Sequence, residues 1–139
     1  MNTNKILVHG ALVFALLATV ACGPKASERM MGKWAIDAAK TEALEDIKAL
    51  PEDKRAAAMT VVQALAPTTT FEIAPGKMTI DSAGQKKERA YTIKSETGYQ
   101  VVCESKVDGK LEQGTLTFQG DILVMNQSNP KMTVALVRK

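Results

Sequence analysis

Apolar and polar residues follow two different periods along this chain, and the change of period divides it into strands and helices. Around Trp34, apolar residues alternate with polar or small ones, which predicts a short strand over residues 31–37 with one buried face. Apolar residues then recur at helical spacing over residues 38–50 and again over residues 51–66. Pro51 interrupts this pattern and favours the first position of the second helix. The sequence therefore predicts a helix pair directly after the first strand.

After the helix pair, short segments rich in β-branched and apolar residues are separated by turn-forming residues. Pro75-Gly76 suits a type II turn, and Asp108-Gly109 suits the tight turn of a hairpin. Such short connections favour antiparallel pairing of consecutive strands. The pattern predicts seven further strands, over residues 69–73, 77–81, 88–94, 99–107, 110–118, 122–127 and 132–138.

This order of one strand, two short helices and a strand meander resembles that of the calycins, the superfamily of lipocalins and fatty-acid-binding proteins. The residues Gly32-Lys33-Trp34 are similar to the Gly-x-Trp at the start of a calycin barrel. The resemblance implies an α+β fold that is mainly antiparallel, a small barrel or half-barrel of about seven to eight strands with the helix pair between the first two. It also implies that Gly32, Trp34 and Arg138 close one barrel end, with the Arg138 guanidinium lying across the Trp34 indole.

The N-terminal residues follow a different pattern from the rest of the chain. Lys5 is followed by an apolar stretch over residues 6–21, which ends in small residues before Cys22. A positive start, an apolar region and small residues before a cut point are the parts of a secretory signal. The stretch is interrupted by His9-Gly10 and is shorter than the about 20 apolar residues of a membrane span. We therefore expect residues 1–21 to be a signal peptide.

The residues Thr19-Val20-Ala21-Cys22 resemble a bacterial lipobox, in which the Cys receives a diacylglyceryl group and becomes the new N-terminus. The resemblance implies that Cys22 is lipidated, with acyl chains such as palmitate, and that the exported protein is anchored to a membrane. Gly23 stands where an Asp would favour the inner membrane, which implies the outer membrane, facing the periplasm. Ordinary signal cleavage is the alternative, and it would leave Cys22 as a plain thiol.

The mature chain would then consist of a polar lipidated tether, residues 22–30, and a single β-rich domain, residues 31–139. Cys103 is the only other cysteine. If Cys22 is acylated, Cys103 has no intramolecular partner and is expected to be a small core residue on a strand. Without acylation, a disulfide between Cys22 and Cys103 becomes possible in an oxidising compartment.

Composition limits the classes of function. The formal net charge is +3 and the basic residues are scattered, which argues against a nucleic-acid partner. The only histidine is His9, inside the predicted signal, so the mature chain lacks the commonest general base and metal ligand. The methionines are dispersed, which favours core filling over a copper(I) site. We predict no catalytic residue, no metal and no other cofactor, and we expect carboxylate pairs such as Asp37 with Glu42 to be solvated.

Three functions remain open on this evidence. The first is a lipid-anchored calycin-like module that binds a small apolar ligand in a cavity between the sheet and the helix pair. The second is an accessory or structural lipoprotein that docks a membrane-protein partner, and the third is a carboxylate-dependent hydrolase. The Arg-x-Tyr with which fatty-acid-binding proteins hold a carboxylate is absent from the end of this chain. An apolar cavity of roughly 300 Å³ or more favours the first function, and a filled interior with an exposed apolar patch favours the second.

Overall fold

The computed structural model describes residues 23–128 and 131–139, and within them the chain forms four helices and eight strands. The helices are α1 (Ala26–Arg29), α2 (Ala38–Glu42), α3 (Glu45–Lys48) and α4 (Glu52–Leu65). The strands are β1 (Gly32–Ile36), β2 (Thr69–Ala74), β3 (Lys77–Ser82), β4 (Gln85–Glu96), β5 (Gln100–Val107), β6 (Lys110–Gln119), β7 (Ile122–Ser128) and β8 (Lys131–Arg138).

The eight strands form a closed barrel in which each strand is antiparallel to the next and β8 pairs with β1. Trp34 shows the closure directly, because it lies opposite Phe71 of β2 on one side and opposite Arg138 of β8 on the other. The helices α2, α3 and α4 lie between β1 and β2 in the chain. The predicted fold class, a small calycin-like antiparallel barrel with helices after its first strand, is confirmed, and the barrel is closed rather than half-open.

Two hairpin turns show how consecutive strands are joined, and the turn at residues 83–84 is tighter than predicted, because β4 begins at Gln85 and not at residue 88. Between β5 and β6, Asp108 and Gly109 have φ of 49° and 79°, the positive values that a two-residue type I′ turn requires at both central positions. Between β3 and β4, Ala83 adopts the same conformation, with φ of 53°, although it carries a Cβ. Asp81 stabilises this second turn by accepting a hydrogen bond from the Gly84 amide at 3.1 Å. The turn geometry thus helps to fix the register of both hairpins.

The predicted helix pair is divided into three helices. Asp37 caps α2, and its carboxylate accepts a hydrogen bond from the Lys40 amide at 2.8 Å. Leu44 has an extended backbone (φ −64°, ψ 137°) and precedes α3 as its N-cap, and both Leu44 and Ile47 are buried. Pro51 is the N-cap of α4 rather than its first helical residue, with ψ of 147°. The change of direction at Leu44 is what the helical spacing over residues 38–50 did not predict.

The strands β7 and β8 are buried on both faces. The β8 edge beyond the end of β1 is covered by α2, because Thr41 Oγ1 accepts a hydrogen bond from the Ala135 amide at 2.9 Å. The helix α4 packs in turn on α2. Successive residues of a strand point to opposite faces, yet each of these strands has three consecutive buried residues: Leu123, Val124 and Met125 on β7, and Val134, Ala135 and Leu136 on β8. The helices therefore form a second layer outside this part of the barrel.

The two barrel ends differ. At one end α1 packs against β5, and its first residue, Ala26, and its C-cap, Met30, are fully buried. We call this the closed end; it also carries the turns at residues 75–76, 97–99 and 120–121. The opposite, open end carries the turns at residues 83–84 and 108–109, the last residues of β7 and the first residues of β8. The segment 26–30, which the sequence analysis assigned to the tether, is thus part of the folded domain.

Candidate functional site

The barrel interior contains a small cavity of about 80 Å³. Its lining residues lie on β2 to β7 and combine an apolar floor with polar groups nearer the open end. This volume is well below the roughly 300 to 1,000 Å³ of typical ligand pockets, so side chains fill most of the interior. Among the lining residues are Phe71, Leu116 and Met125 on the apolar side and Arg89, Ser105 and Glu112 on the polar side.

Two titratable side chains of this cavity are held in their neutral forms. Burial raises the pKa of the Cys103 thiol to about 11, so the thiolate that reacts with electrophiles is scarce at neutral pH. Burial also raises the pKa of Tyr91, and the Tyr91 hydroxyl donates a hydrogen bond to the Ala74 carbonyl at 2.7 Å. Cys103 thus lies half-buried against the core, as a small apolar residue on a strand would.

An Arg-x-Tyr sequence does occur in this chain, on β4 rather than near the C-terminus. Arg89 and Tyr91 both line the interior cavity. However, the Tyr91 hydroxyl is already bonded to the Ala74 carbonyl. The spacing therefore places an arginine in the cavity without completing the two-residue carboxylate clamp. The alternation of inward and outward residues on β4 is the signal that could have revealed it.

A much larger space lies between the helices and the sheet. This interlayer groove has a volume of about 730 Å³ and is bounded by α3, α4 and the ends of β7 and β8 next to their connection. Its apolar lining comprises Ile47, Ala49, Leu50, Ala58, Val61, Val62 and Met132. Its polar lining comprises Asp46, Lys54, Asn126, Lys131 and Thr133.

The groove exists because the two layers are not filled by large side chains where they separate. Val62 packs into the core and is 2% exposed, whereas Val61, one residue earlier on α4, is 51% exposed. Ala58 lies one turn before both on the same helix and fills little space. Across the groove, Thr133 Oγ1 and Asn126 Oδ1 are 2.5 Å apart and bonded to each other. The groove therefore has an apolar wall on the helix side, and on the sheet side it has two polar side chains that are hydrogen-bonded to each other.

A cavity between sheet and helices is expected from the sequence, but the residues that line this groove are not. Two signals were present in the sequence. The runs Leu123-Val124-Met125 and Val134-Ala135-Leu136 are continuous apolar segments, which are typical of strands covered on both faces. Such strands require an outer layer, and the helices after β1 supply it.

The closed end brings together the residues for which the calycin resemblance implied a barrel-closing role. The Arg138 guanidinium lies 4.1 Å from the centre of the Trp34 ring, and it donates hydrogen bonds to the carbonyls of Met31 and Arg29. The Trp34 indole nitrogen donates to the Met30 carbonyl at 2.8 Å. Arg138 thus ties the segment before β1 to the last strand.

Gly32 has a specific structural reason to be glycine. Its φ is +119°, a conformation that residues with a side chain rarely adopt. A Cβ at this position would lie 2.6 Å from Nη1 of Arg138. The absence of a side chain therefore permits the Arg138 guanidinium to cross the start of β1. Cys22, the predicted lipidation site, lies outside the described residues.

Asp37 and Glu104, one from each carboxylate pair in the sequence, have separate local partners. Asp37 caps α2, while Glu104 lies 3.5 Å from the ammonium group of Lys94. No group of three or more His, Cys, Asp or Glu residues within 23–128 and 131–139 could hold a metal ion. The methionines are dispersed through the core, with Met30, Met59 and Met125 buried. The described residues thus include spaces of very different size for a bound molecule, among them the interior cavity of about 80 Å³ and the interlayer groove of about 730 Å³.

Comparison with known proteins adds no family to this picture. No protein-family model matches the chain, and searches of curated proteins and of solved structures give no match either. Among the helices of the described ranges, none has the length and apolar character needed to span a bilayer. The fold alone shows a barrel that is compatible with a calycin-like binding module.

Proposed function

We propose that this protein is an exported lipoprotein, anchored through Cys22, whose calycin-like barrel binds a small apolar or amphiphilic ligand in the interlayer groove without catalysing a reaction. The observation that carries the proposal is the size of the groove, about 730 Å³, which lies within the range of small-molecule sites. The interior cavity, at about 80 Å³, is too small for the same ligand.

The lining of the groove suggests the ligand's chemistry. The side chains of Leu50, Val61 and Met132 would contact an alkyl chain, whose burial is worth about 0.8 kcal/mol for each CH₂ group. Lys54 and Lys131 also line the groove, opposed by Asp46. Two ammonium groups against one carboxylate favour an anionic head group. A single-chain carboxylic acid such as palmitate is therefore a suitable probe.

The anchor is supported by the sequence. An apolar stretch follows Lys5 and ends in small residues before Cys22. By resemblance, Gly23 after that cysteine favours the outer membrane, with the barrel in the periplasm. The only histidine, His9, would be removed with the signal, which supports binding rather than acid-base chemistry.

The ligand site is tested by filling it. Ala58→Trp places an indole in the groove, whereas Ala56→Trp is a matched control, because Ala56 is exposed and lies about 200° away around α4. We expect palmitate to raise the melting temperature of the wild-type protein and of Ala56→Trp, and to leave that of Ala58→Trp unchanged. If palmitate and lysophosphatidylcholine shift none of the three, and no lipid co-purifies, ligand binding in the groove is wrong.

Docking of a membrane-protein partner is the second candidate function. One observation favours it, the 51% exposure of Val61 beside an interior that is nearly filled. A negative palmitate result, together with membrane cross-links from Val61 to a protein, would favour this function over ligand binding.

The anchor is tested separately from the ligand. Mass spectrometry of the protein from membranes should find a diacylglyceryl group on Cys22, and a Cys22→Ser chain should move to the soluble fraction. A Cys22→Ser chain that stays bound to the membrane would contradict the anchor.

A further inference from the structure

The folded domain begins much closer to Cys22 than the polar composition of its first residues predicts. Ala26 and Met30 are fully buried at the closed end, so only Gly23, Pro24 and Lys25 separate Cys22 from the barrel. Three residues span at most about 10 Å when fully extended. A lipid on Cys22 would therefore hold the closed end against the membrane surface.

The helix α1 is fastened to the barrel and does not act as extra tether. The amide and hydroxyl of Ser27 both donate to Glu96 Oε1, at 3.0 and 2.7 Å. Arg138 donates to the carbonyl of Arg29 from the other side, and the Arg29 guanidinium lies 4.0 Å from the centre of the Phe118 ring. These contacts join α1 to the end of β4, to β8 and to β6, so α1 and the closed end move together with the lipid anchor.

The closed end presents an exposed aromatic residue beside this attachment. Tyr99 lies on the turn between β4 and β5, close to Glu96, and its side chain is 60% exposed. Its backbone is fixed, because the Tyr99 carbonyl accepts a hydrogen bond from the Phe118 amide at 2.7 Å. Tyrosine, with an apolar ring and a polar hydroxyl, is enriched where proteins meet the head groups of a bilayer.

The charge of the closed end is mixed but compatible with lipid head groups. Lys25, Lys33 and Lys139 are exposed there, and each lysine near an anionic surface contributes about 1 kcal/mol. Glu28, Glu72, Glu96 and Asp121 are exposed near the same end and oppose this attraction. The orientation of the closed end on a membrane is therefore argued from the short connection to Cys22 and from Tyr99, and not from net charge.

We propose that the closed end rests on the lipid head groups of the membrane that holds the anchor, with Tyr99 in the interface. The open end, including the interlayer groove next to the β7–β8 connection, then faces away from that membrane. This orientation rests on the proposed lipid anchor, and it adds which surface of the barrel meets the bilayer.

A pair of single-cysteine positions tests the orientation in the full chain. Tyr99→Cys probes the closed end, and Leu111→Cys is the matched control at the open end, where Leu111 is 69% exposed. Cys103 contributes little background, because its pKa is raised to about 11. In opened membranes, we expect a membrane-impermeant maleimide to label Tyr99→Cys at least about fivefold more slowly than in detergent, and Leu111→Cys equally fast in both.

The outcomes separate the orientation from the anchor. Equal labelling of both positions in protein that sediments with membranes would overturn the orientation and leave the anchor intact. Slower labelling of Leu111→Cys than of Tyr99→Cys would reverse the orientation. Protein that remains soluble, with both positions labelled rapidly, would overturn the anchor and the orientation together.

Discussion

The two sides of this barrel are built differently, although all eight strands belong to one antiparallel sheet. On the β7–β8 side, inner and outer faces are both buried, and Val124 and Ala135 are 3% and 0% exposed beneath the helices. On the β4–β6 side the sheet is a single layer, and outward positions such as Thr92 and Lys94 are exposed. The space that is large enough for a ligand therefore lies where the helix layer separates from the sheet, and not inside the barrel.

We expect the largest loss of stability from a substitution on the helix-covered side of the barrel. Ala135→Lys puts an ammonium group between sheet and helices, which combines overpacking with an unpaired buried charge. We expect a loss of about 3 kcal/mol or more from the free energy of unfolding. Ala90→Lys is the matched change on the single-layer side, because Ala90 is exposed, and it should change stability by less than about 0.5 kcal/mol.

Urea denaturation measures both variants. If Ala135→Lys does not fold, Ala135→Val still tests the claim, since two added methyl groups at a fully buried position should cost about 1 to 3 kcal/mol. Equal stability of Ala135→Val and Ala90→Val would contradict the two-layer description.

A smaller effect is expected at the closed end. Arg138→Met removes the cation over Trp34 and the hydrogen bonds to the carbonyls of Met31 and Arg29. A cation over an indole is worth about 0.5 to 2 kcal/mol, and a hydrogen bond from a charged group about 1.5 to 3 kcal/mol. These terms are not additive, and Arg138 is exposed, so we expect a total loss of about 2 kcal/mol. Arg138→Lys should recover only part of the loss, because lysine lacks the planar fork.

Cys103 lies on the inner face of the single-layer side, and its reactivity tests whether that face is buried. With a pKa near 11, the folded protein has about a hundredfold less thiolate at neutral pH than a thiol of pKa 9. In a Cys22→Ser chain, iodoacetamide should therefore modify Cys103 more slowly in the folded than in the urea-unfolded state. The stability linked to this neutral thiol is fully present below its unfolded pKa and is lost as the pH rises toward 11. Equal rates in both states would show that Cys103 is exposed.

The smallest effect concerns the pair of hydrogen bonds from Ser27 of α1 to Glu96 of β4, which we call the latch. The hydrogen bonds from Ser27 lower the pKa of Glu96, so its contribution to stability is present above the unfolded pKa and is lost as the pH falls through the folded value. Glu96→Gln should slightly flatten the acid limb, the range in which the free energy of unfolding falls with decreasing pH. At alkaline pH, Glu96→Gln should lower the free energy of unfolding less than Ser27→Pro does. An unchanged acid limb would mean that the latch contributes nothing measurable.

Much of the fold could be predicted from the sequence because its signals are local. Strand alternation around Trp34 and turn chemistry at Asp108-Gly109 gave the succession of eight strands and the antiparallel meander, and the structure confirms both. The break at Leu44 could not be predicted from helical spacing, because it depends on how Leu44 and Ile47 reach the core. Likewise, α1 spans only four residues without apolar periodicity, and its place is set by contacts with distant strands.

The candidate site was harder to predict from the sequence than the fold. A cavity between sheet and helices was expected, but its walls depend on which layer covers β8 and on the small side chain of Ala58. The placement of Arg138 over Trp34 followed from the family resemblance, whereas the tight fit against Gly32 depends on three-dimensional distances. Sequence alone gives residue types at these positions and not the space between them.

Titration of methyl-labelled protein with palmitate, followed by NMR, shows whether a ligand occupies the interlayer groove or the barrel interior. We expect chemical-shift changes at the methyl groups of Leu50, Val61 and Met132, which line the groove, with those of Leu116 and Met125 in the interior unchanged. Changes at Leu116 and Met125 without changes at Leu50, Val61 and Met132 would contradict ligand binding in the groove.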